Sequence, residues 1–220
     1  MEIETNPSGL LIGCDVEGPF IVGCGYEITR LDEALFTNGG VNNDALAVDP
    51  IRQSDDPLGE DIYFIYAPDS SLFRLPMDSL SVDGELERVA HLTWDEAKNA
   101  RGMVCDGWDG TVYILVDSDE TKEIISVTPD GTKEILVDFF VANGPGDKAG
   151  MQRDLAITRP FLFTLDTLND DILLYDYLSG ELSHRFENQN VPIEIRTTLS
   201  TRAEDGSLTG GERVGLVVIK

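Results

Sequence analysis

Three side-chain amides stand at matching positions just ahead of three apolar, strand-like segments. They belong to Asn42, Asn99 and Gln152, and the segments that follow read ALAVDP, GMVCDG and LAITRP. A recurring amide can cap the turn before a repeated strand by bonding to nearby backbone groups. It can also bind a polar ligand. We therefore predict a capping role for the set and keep Asn99 and Gln152 as candidate substrate-binding residues.

Charged residues follow these amides where repeated strand structure does not require them. They are Asp44 in the first segment, Arg101 in the second, and Arg153 and Asp154 in the third. Where strands are related by rotation about an axis, equivalent positions become neighbours. We predict that these four residues converge with Asn43 at one end of such an axis and form the catalytic site. Two acids among two arginines would also balance charge, so a structural role is the alternative.

The other chemically suggestive residues carry weaker signals. Trp108 lies in the tight turn DGWDG, where an indole ring either projects as a stacking surface for a substrate or packs between structural units. His91 and His184 fall at or near outer strands, which favours a structural or solvent-exposed role. No nucleophile-elbow motif is present, and no glycine-rich segment ends in the Gly-Lys-Ser or Gly-Lys-Thr of a phosphate loop.

The charge balance limits the partners. With 41 acidic against 16 basic residues, the formal charge is −25. Such a surface repels nucleic acid and anionic lipid, because phosphate groups are bound chiefly by Lys and Arg. Cations, cationic ligands or a basic partner would be favoured, although acidity can serve solubility alone. We expect a small-molecule ligand and no nucleic-acid or membrane partner; the residues do not indicate an oligomeric state.

The cysteines and the N-terminal residues bear on the compartment. Three cysteines at wide spacing indicate neither a zinc site nor a disulfide framework, which suggests a reducing environment. The first residues, MEIETNPSG, lack the basic start and apolar stretch of a signal peptide, and no apolar run reaches the ~20 residues of a membrane span. We expect a cytoplasmic protein.

The elements that position these residues repeat along the chain. A segment closed by Asp, Gly or Pro is followed by an aromatic or β-branched run, then a third run and a fourth element. The second runs of the four units are PFIVGCG, DIYFIYA, TVYILVD and FLFTLDT. This is strand and turn patterning, and its irregular spacing brackets the period of four-stranded propeller blades. The sequence predicts an all-β propeller of four to five blades in one domain, residues 1–220, with helix confined to loops.

The end of the chain and the fold class each leave an alternative. Two further strand-like runs, Pro192–Leu199 and Arg213–Ile219, would form a fifth blade or a strand that closes the first. A β-sandwich of unrelated hairpins is the alternative to a propeller, since alternating strands and turns suit that class too.

The order of SGLLIGCDVEG, PFIVGCGYEITRLD, VNNDALAVDP and the two following units resembles the gluconolactonase and senescence marker protein type of β-propeller. It is more loosely similar to NHL-repeat propellers. The resemblance covers Ser8–Phe186 and implies a divalent metal, most often calcium, in the channel. It implies Asn43 and Asp44 as metal ligands, from NND, and Glu17, from EGP. Family members commonly have six blades and a longer chain.

Three functions follow from these observations. The first is a metal-dependent hydrolase acting on a lactone or a similar small cyclic substrate, with the metal polarising a carbonyl and an Asp handling the proton. The second is a non-catalytic propeller that binds a small molecule or a protein on its rim. The third is a metal-independent isomerase or cyclase of a small natural product. Fold alone does not choose among them.

Overall fold

The protein is built from small antiparallel sheets. The structure is a computed structural model, and it describes residues 2–5, 11–15, 18–22, 28–30, 41–48, 61–76, 86–142, 152–167, 169, 171–187, 200–202 and 208–210. These residues form four four-stranded antiparallel sheets and one two-stranded sheet. Among these residues helix is confined to three short pieces, in agreement with the predicted all-β fold. None of the described helices is long and apolar enough to cross a membrane.

Each four-stranded sheet follows the chain order of its strands. Blade 1 contains β1 (Glu2–Thr5), β2 (Leu11–Asp15), β3 (Gly18–Val22) and β4 (Ile28–Arg30). Blade 2 contains β5 (Val41–Val48), β6 (Asp61–Tyr66), β7 (Ser71–Pro76) and β8 (Glu87–His91). Blade 3 contains β9 (Ala100–Cys105), β10 (Val112–Asp117), β11 (Lys122–Val127) and β12 (Lys133–Asp138). Blade 4 contains β13 (Gln152–Thr158), β14 (Phe161–Asp166), β15 (Asp171–Asp176) and β16 (Leu182–Phe186).

The remaining elements are short. The two-stranded sheet pairs β17 (Ser200–Arg202) with β18 (Leu208–Gly210). A 3-10 helix spans Ala67–Asp69, α1 spans Trp94–Asn99, and α2 spans Phe139–Ala142.

The first strands of the blades lie side by side. Strand β5 contacts β9, and β9 contacts β13, whereas β8, β12 and β16 lie at the opposite ends of their sheets. The first strands are therefore innermost and the fourth strands lie on the perimeter, which is the radial arrangement of a propeller. His91 and His184 lie in the perimeter strands β8 and β16, where both are exposed.

The core lies between the blades, and β10 shows why its first five residues are apolar. All six residues of β10 are buried, and the sixth, Asp117, is paired with Lys122. Val112, Ile114 and Val116 pack in the cluster shared with blade 2, and Tyr113 and Leu115 pack in the cluster shared with blade 4. Successive side chains point to opposite faces of a strand, so a strand covered on both faces favours apolar residues at successive positions. Each of these large side chains contributes about 1.5–3 kcal/mol of burial free energy.

The structure differs from the sequence prediction at the first blade and before β9. Blade 1 begins one strand earlier, with β1 in place before the predicted first run. The predicted fourth element of that blade, EALFTN, lies outside the described residues, as do both C-terminal runs, Pro192–Leu199 and Arg213–Ile219.

Helix α1 precedes β9, where the sequence reading had only a turn. Its start is a capping box, in which the Thr93 hydroxyl accepts a bond from the Glu96 backbone N–H and the Glu96 carboxylate accepts one from the Thr93 N–H. The letters TWDE carry the Ser/Thr-x-x-Glu signature of such a start.

Two neighbouring inner strands meet backbone to backbone at Gly102. A Cβ atom at this position would lie 2.8 Å from the backbone nitrogen of Leu155 and 2.9 Å from the Cα of Asp154. No side chain fits between β9 and β13 at this level. Glycine is required here by the close approach of the two backbones.

We expect Gly102→Ala to destabilise the protein by about 1–3 kcal/mol, because the added methyl group must push two backbones apart. Urea unfolding of the variant beside Ser126→Ala, a partly exposed position of β11, measures the difference. Equal midpoints for Gly102→Ala and the wild type would contradict the close approach.

Candidate functional site

Three of the predicted site residues line one open cleft at the mouth of the axis. They are Asn99, Arg101 and Arg153. The cleft has a volume of about 410 Å³. Its lining comprises Asp95, Asn99, Arg101, Asp117, Ser118, Asp119, Glu120, Lys122 and Arg153. The side chains are polar or charged throughout, which suits a small hydrophilic molecule better than an apolar one.

Three elements bring these side chains together. Arg101 and Arg153 are the second residues of the inner strands β9 and β13, so the contact between neighbouring blades sets them beside each other. Asp95 and Asn99 come from α1. The rest come from the end of β10, the start of β11 and the turn that joins them.

Asp154 lies at the same mouth without lining the cleft. Its backbone has a φ of 55°, in the left-handed region, at an irregularity in the pairing of β13 with β14. Its Oδ1 accepts a hydrogen bond of 2.8 Å from the N–H of Leu155. The carboxylate thus supports the backbone bend that packs against Gly102. Its predicted catalytic role stays a prediction.

The three recurring amides all make structural hydrogen bonds. Asn42 is buried, and its Nδ2 donates to the carbonyl oxygens of Ala97 (2.8 Å) and Ala100 (3.2 Å) in the next blade. Asn99 Nδ2 donates to Asp95 Oδ1 at 2.8 Å. Gln152 is fully buried away from the cleft lining, and its Oε1 accepts a bond from the Thr164 hydroxyl. Among these contacts, only those of Asn99, which also donates to the nearby backbone carbonyl of Asp95 at 3.1 Å, are of the kind that the capping prediction requires. The capping role of the set stays a prediction.

The predicted metal ligands lie largely outside what the structure describes. Glu17 is outside the described residues, and of Asn43 and Asp44 only the backbone, within β5, is described. Among the described side chains, no group of three or more His, Cys, Asp or Glu residues could hold a metal ion. The described part of the cleft therefore does not form a calcium site by itself.

Sequence reasoning missed the turn between β10 and β11. The register of the inner strands predicts which of their own residues lie together, but it does not predict which turn lies next to the starts of these strands. The letters DSDETK, a charged turn between two apolar runs, were the available signal.

Hydrogen bonds hold this turn rigid. The Ser118 hydroxyl donates to Asp95 Oδ2 (2.9 Å) on α1 and accepts bonds from the N–H groups of Glu120 and Thr121. Beside it, Lys122 donates to the buried Asp117 carboxylate.

Trp108 lies at the far end of β9 from the cleft. The six residues of β9 separate the two ends by about 20 Å, so the structure does not bring Trp108 to Asn99 and Arg101. The Trp108 side chain is 72% exposed, and the Arg159 guanidinium lies 5.7 Å from the centre of its ring. A stacking role in the cleft is not supported by this position.

Arg159 links blade 4 to blade 3 on that far rim. Its Nε donates to Asp106 Oδ2 (2.7 Å) and its Nη2 to Asp109 Oδ2 (2.6 Å). The guanidinium also lies 4.9 Å from the centre of the Tyr177 ring. The Asp106 bond raises the pKa of Arg159, which keeps the guanidinium protonated. We call this set of contacts the Arg159 link.

An acidic group lies behind the cleft, beside α1. Lys133 Nζ lies 2.7 Å from both carboxylate oxygens of the buried Glu96. Burial raises the pKa of Glu123, and the neighbouring Glu96 carboxylate raises it further, while Lys133 partly offsets the rise. Folding therefore makes Glu123 less readily ionised than an ordinary glutamate.

Comparisons with known proteins identify the fold. A protein of unknown function from Bacteroides caccae matches with a TM-score of 0.56 and 9% identity, covering 86% of this chain and 61% of that one. A calcium-binding protein, regucalcin, from Agrobacterium tumefaciens matches with a TM-score of 0.54 and 13% identity, covering 84% of this chain and 59% of that one. A gluconolactonase from Xanthomonas campestris matches with a TM-score of 0.54 and 14% identity, covering 86% and 62%.

At these identities the likeness establishes the fold alone, and the chain has a β-propeller fold. No protein-family model and no curated protein sequence matches it. The chain spans about 60% of the length of the three structures above. Its four described blades are fewer than the six common in the family that the sequence resembles.

We expect Glu123→Gln to stabilise the protein at pH 7, by about 1 kcal/mol or less because the group is only partly removed from solvent. Because folding raises the pKa of Glu123, this residue contributes stability that is fully present below its unfolded pKa of 4.5 and is lost as the pH rises through its folded pKa. A glutamine at this position stays neutral, so the variant does not lose stability in that pH range. Melting temperatures of Glu123→Gln and the wild type, measured from pH 4 to pH 8, should diverge as the pH rises. The exposed Glu134→Gln serves as control. Parallel melting profiles for Glu123→Gln and the wild type would contradict the raised pKa.

Proposed function

We propose that this protein binds a small molecule carrying a carboxylate or a similar anionic group in the cleft at the mouth of the propeller axis. The observation that supports the proposal is the position of Arg101 and Arg153, which come from neighbouring blades and line the same cleft. A guanidinium presents a planar pair of donors that matches a carboxylate, so two of them on one wall favour an anionic ligand over a neutral one.

The size and setting of the cleft agree with such a ligand. A volume of about 410 Å³ lies within the usual range for small-molecule sites. The wall is fixed before a ligand arrives, because Arg101 and Arg153 flank the backbone contact at Gly102. Fixed donors lose less conformational freedom on binding than flexible ones.

The same arrangement excludes several ligand classes. A nucleic acid would meet the formal charge of −25 before it reached two arginines in a recessed cleft. A large apolar molecule would leave the charged lining without water. A small polar anion satisfies both limits.

We predict that Arg101→Gln and Arg153→Gln each weaken binding of a small carboxylate about 10-fold to 100-fold, since a charge-assisted hydrogen bond contributes about 1.5–3 kcal/mol. Acetate, butyrate, succinate, citrate and inorganic phosphate serve as probes in NMR titrations at low ionic strength. Arg88→Gln, on the perimeter strand β8 beside Asp69, is the matched control because it removes an equal charge far from the axis.

Wild-type affinity in both cleft variants, with unchanged melting temperatures, would overturn the proposal. So would the absence of binding by every probe. Weakening by Arg88→Gln equal to that by Arg101→Gln would mean that net charge, and not the cleft, controls binding.

A metal-dependent lactonase is the catalytic form of this proposal, supported by the structural likeness to a gluconolactonase and to the calcium-binding regucalcin. A ring-opened lactone is a hydroxy acid, so an arginine-lined cleft suits the product. Bound calcium would polarise the lactone carbonyl, and Glu17, Asn43 and Asp44 are the residues that the resemblance assigns as ligands. The described residues do not form that site, and the arginines alone do not supply the nucleophile.

If the lactonase proposal is right, purified protein should retain Ca²⁺ and hydrolyse gluconolactone. Asp44→Asn should remove both properties, because a carboxylate ligand is lost at nearly constant shape. Elemental analysis and proton-release assays of the wild type and the variant test this. Wild-type turnover after complete removal of metal, or in Asp44→Asn, would contradict a role for this carboxylate.

A further inference from the structure

The cleft has two walls of opposite charge, and they come from different elements. The inner strands β9 and β13 contribute Arg101 and Arg153. The turn between β10 and β11 contributes Asp119 and Glu120, both exposed. An anion at the arginines would also lie in the same cleft as Asp119 and Glu120, and a cation at those acids would lie in the same cleft as Arg101 and Arg153.

The carboxylates of the turn differ from the other acids of the cleft in their partners. Asp117 is paired with Lys122, and Asp95 accepts bonds from Asn99 and Ser118. Within the described part of the chain, Asp119 and Glu120 make no side-chain hydrogen bond or ion pair. Their charges are available to a ligand.

The turn holds these two carboxylates in place. Ser118 N–H donates to the Thr121 carbonyl at 2.7 Å, and the Ser118 hydroxyl joins the turn to α1 through Asp95. The backbone that carries the acidic wall is therefore held in place, although its two side chains are exposed. A fixed distance between the backbones of the two walls selects for the spacing between the charges of a ligand, and not only for their signs.

The strand register gives the scale of that spacing. Ala100, the first residue of β9, pairs with Val116, and Asp119 follows three residues later. At about 3.3 Å per residue, the acidic turn lies within about 10 Å of the level of Ala100 and Arg101. A ligand of a few bonds can reach both walls.

We infer that the ligand of this cleft is a zwitterion, with a carboxylate directed to Arg101 and Arg153 and a protonated amine directed to Asp119 and Glu120. This rests on the proposed function and narrows its ligand to the aminocarboxylates. The amine donates hydrogen bonds to carboxylates that otherwise face water, and the acidic surface of the protein favours the cationic end during approach.

The test compares aminocarboxylates with the same acids lacking the amine. Glycine, β-alanine, 4-aminobutyrate and 6-aminohexanoate are titrated beside acetate, propionate, butyrate and hexanoate, at low ionic strength and pH 7. One or more of the aminocarboxylates should bind about twofold to fivefold more tightly than its partner, the gain expected from a solvent-accessible ion pair. A dependence on chain length would report the distance between the walls.

The variant Asp119→Asn/Glu120→Gln should remove this preference by weakening the aminocarboxylate alone. Arg101→Gln should weaken both members of each pair. Glu134→Gln, an exposed carboxylate on β12, should change neither. The turn residues are exposed, so melting temperatures should match the wild type and exclude misfolding as the cause.

The outcomes separate this inference from the proposal on which it rests. If acids with and without the amine bind equally, the zwitterion is excluded and the anion site stands. If the preference survives in Asp119→Asn/Glu120→Gln, the amine is not recognised by this turn and the inference fails. If no compound of either series binds, both fail.

Discussion

The backbones of β9 and β13 touch at Gly102, and most of the molecule is organised around this contact between inner strands. Propeller blades can pack around an axis only if their first strands approach closely, and here the approach excludes even a methyl group. Asn42 adds a second connection by bonding across to the carbonyls of Ala97 and Ala100 in the next blade. Arg101 and Arg153 precede the touching residues by one position, so the contact that packs the blades also sets the two guanidinium groups side by side.

The chain has 41 acidic and 16 basic residues, so positive side chains are scarce and their positions are informative. Several of them neutralise carboxylates that are buried at strand ends or under α1, where an unpaired charge would be costly. These pairs are Lys122 with Asp117, Lys133 with Glu96, Arg159 with Asp106, and Arg185 with Asp171. Two of the remaining arginines, Arg101 and Arg153, line the same cleft, and this pairing of positive residues supports the proposal that the cleft binds a ligand.

The repeated strand runs were enough to predict the blades, because the second strands β6, β10 and β14 are mostly buried and their apolar runs differ from those of exposed strands. They also predicted that Arg101 and Arg153 would meet, since rotation about the axis carries one position onto the other. The β10–β11 turn could not be found in this way. Its approach to the cleft depends on the Ser118–Asp95 bond to α1, a contact between elements that strand periodicity does not encode. The amides show the opposite limit. The repeats predicted their spacing but not their partners, which are Ala97 and Ala100 for Asn42, Asp95 for Asn99, and Thr164 for Gln152.

The Arg159 link has a consequence for how this chain can change over evolutionary time. In the register of the repeats, Arg159 of blade 4 occupies the position that Asp106 occupies in blade 3 and Asp49 in blade 2. The link therefore joins unlike residues at like positions, and a copy of blade 3 in the place of blade 4 would lack the cation that Asp106 and Asp109 share. Blades 3 and 4 are therefore not interchangeable at this rim. Duplication of a blade, the usual route by which repeat proteins lengthen, would here lose the Arg159 link unless the copy carried a cation at this position.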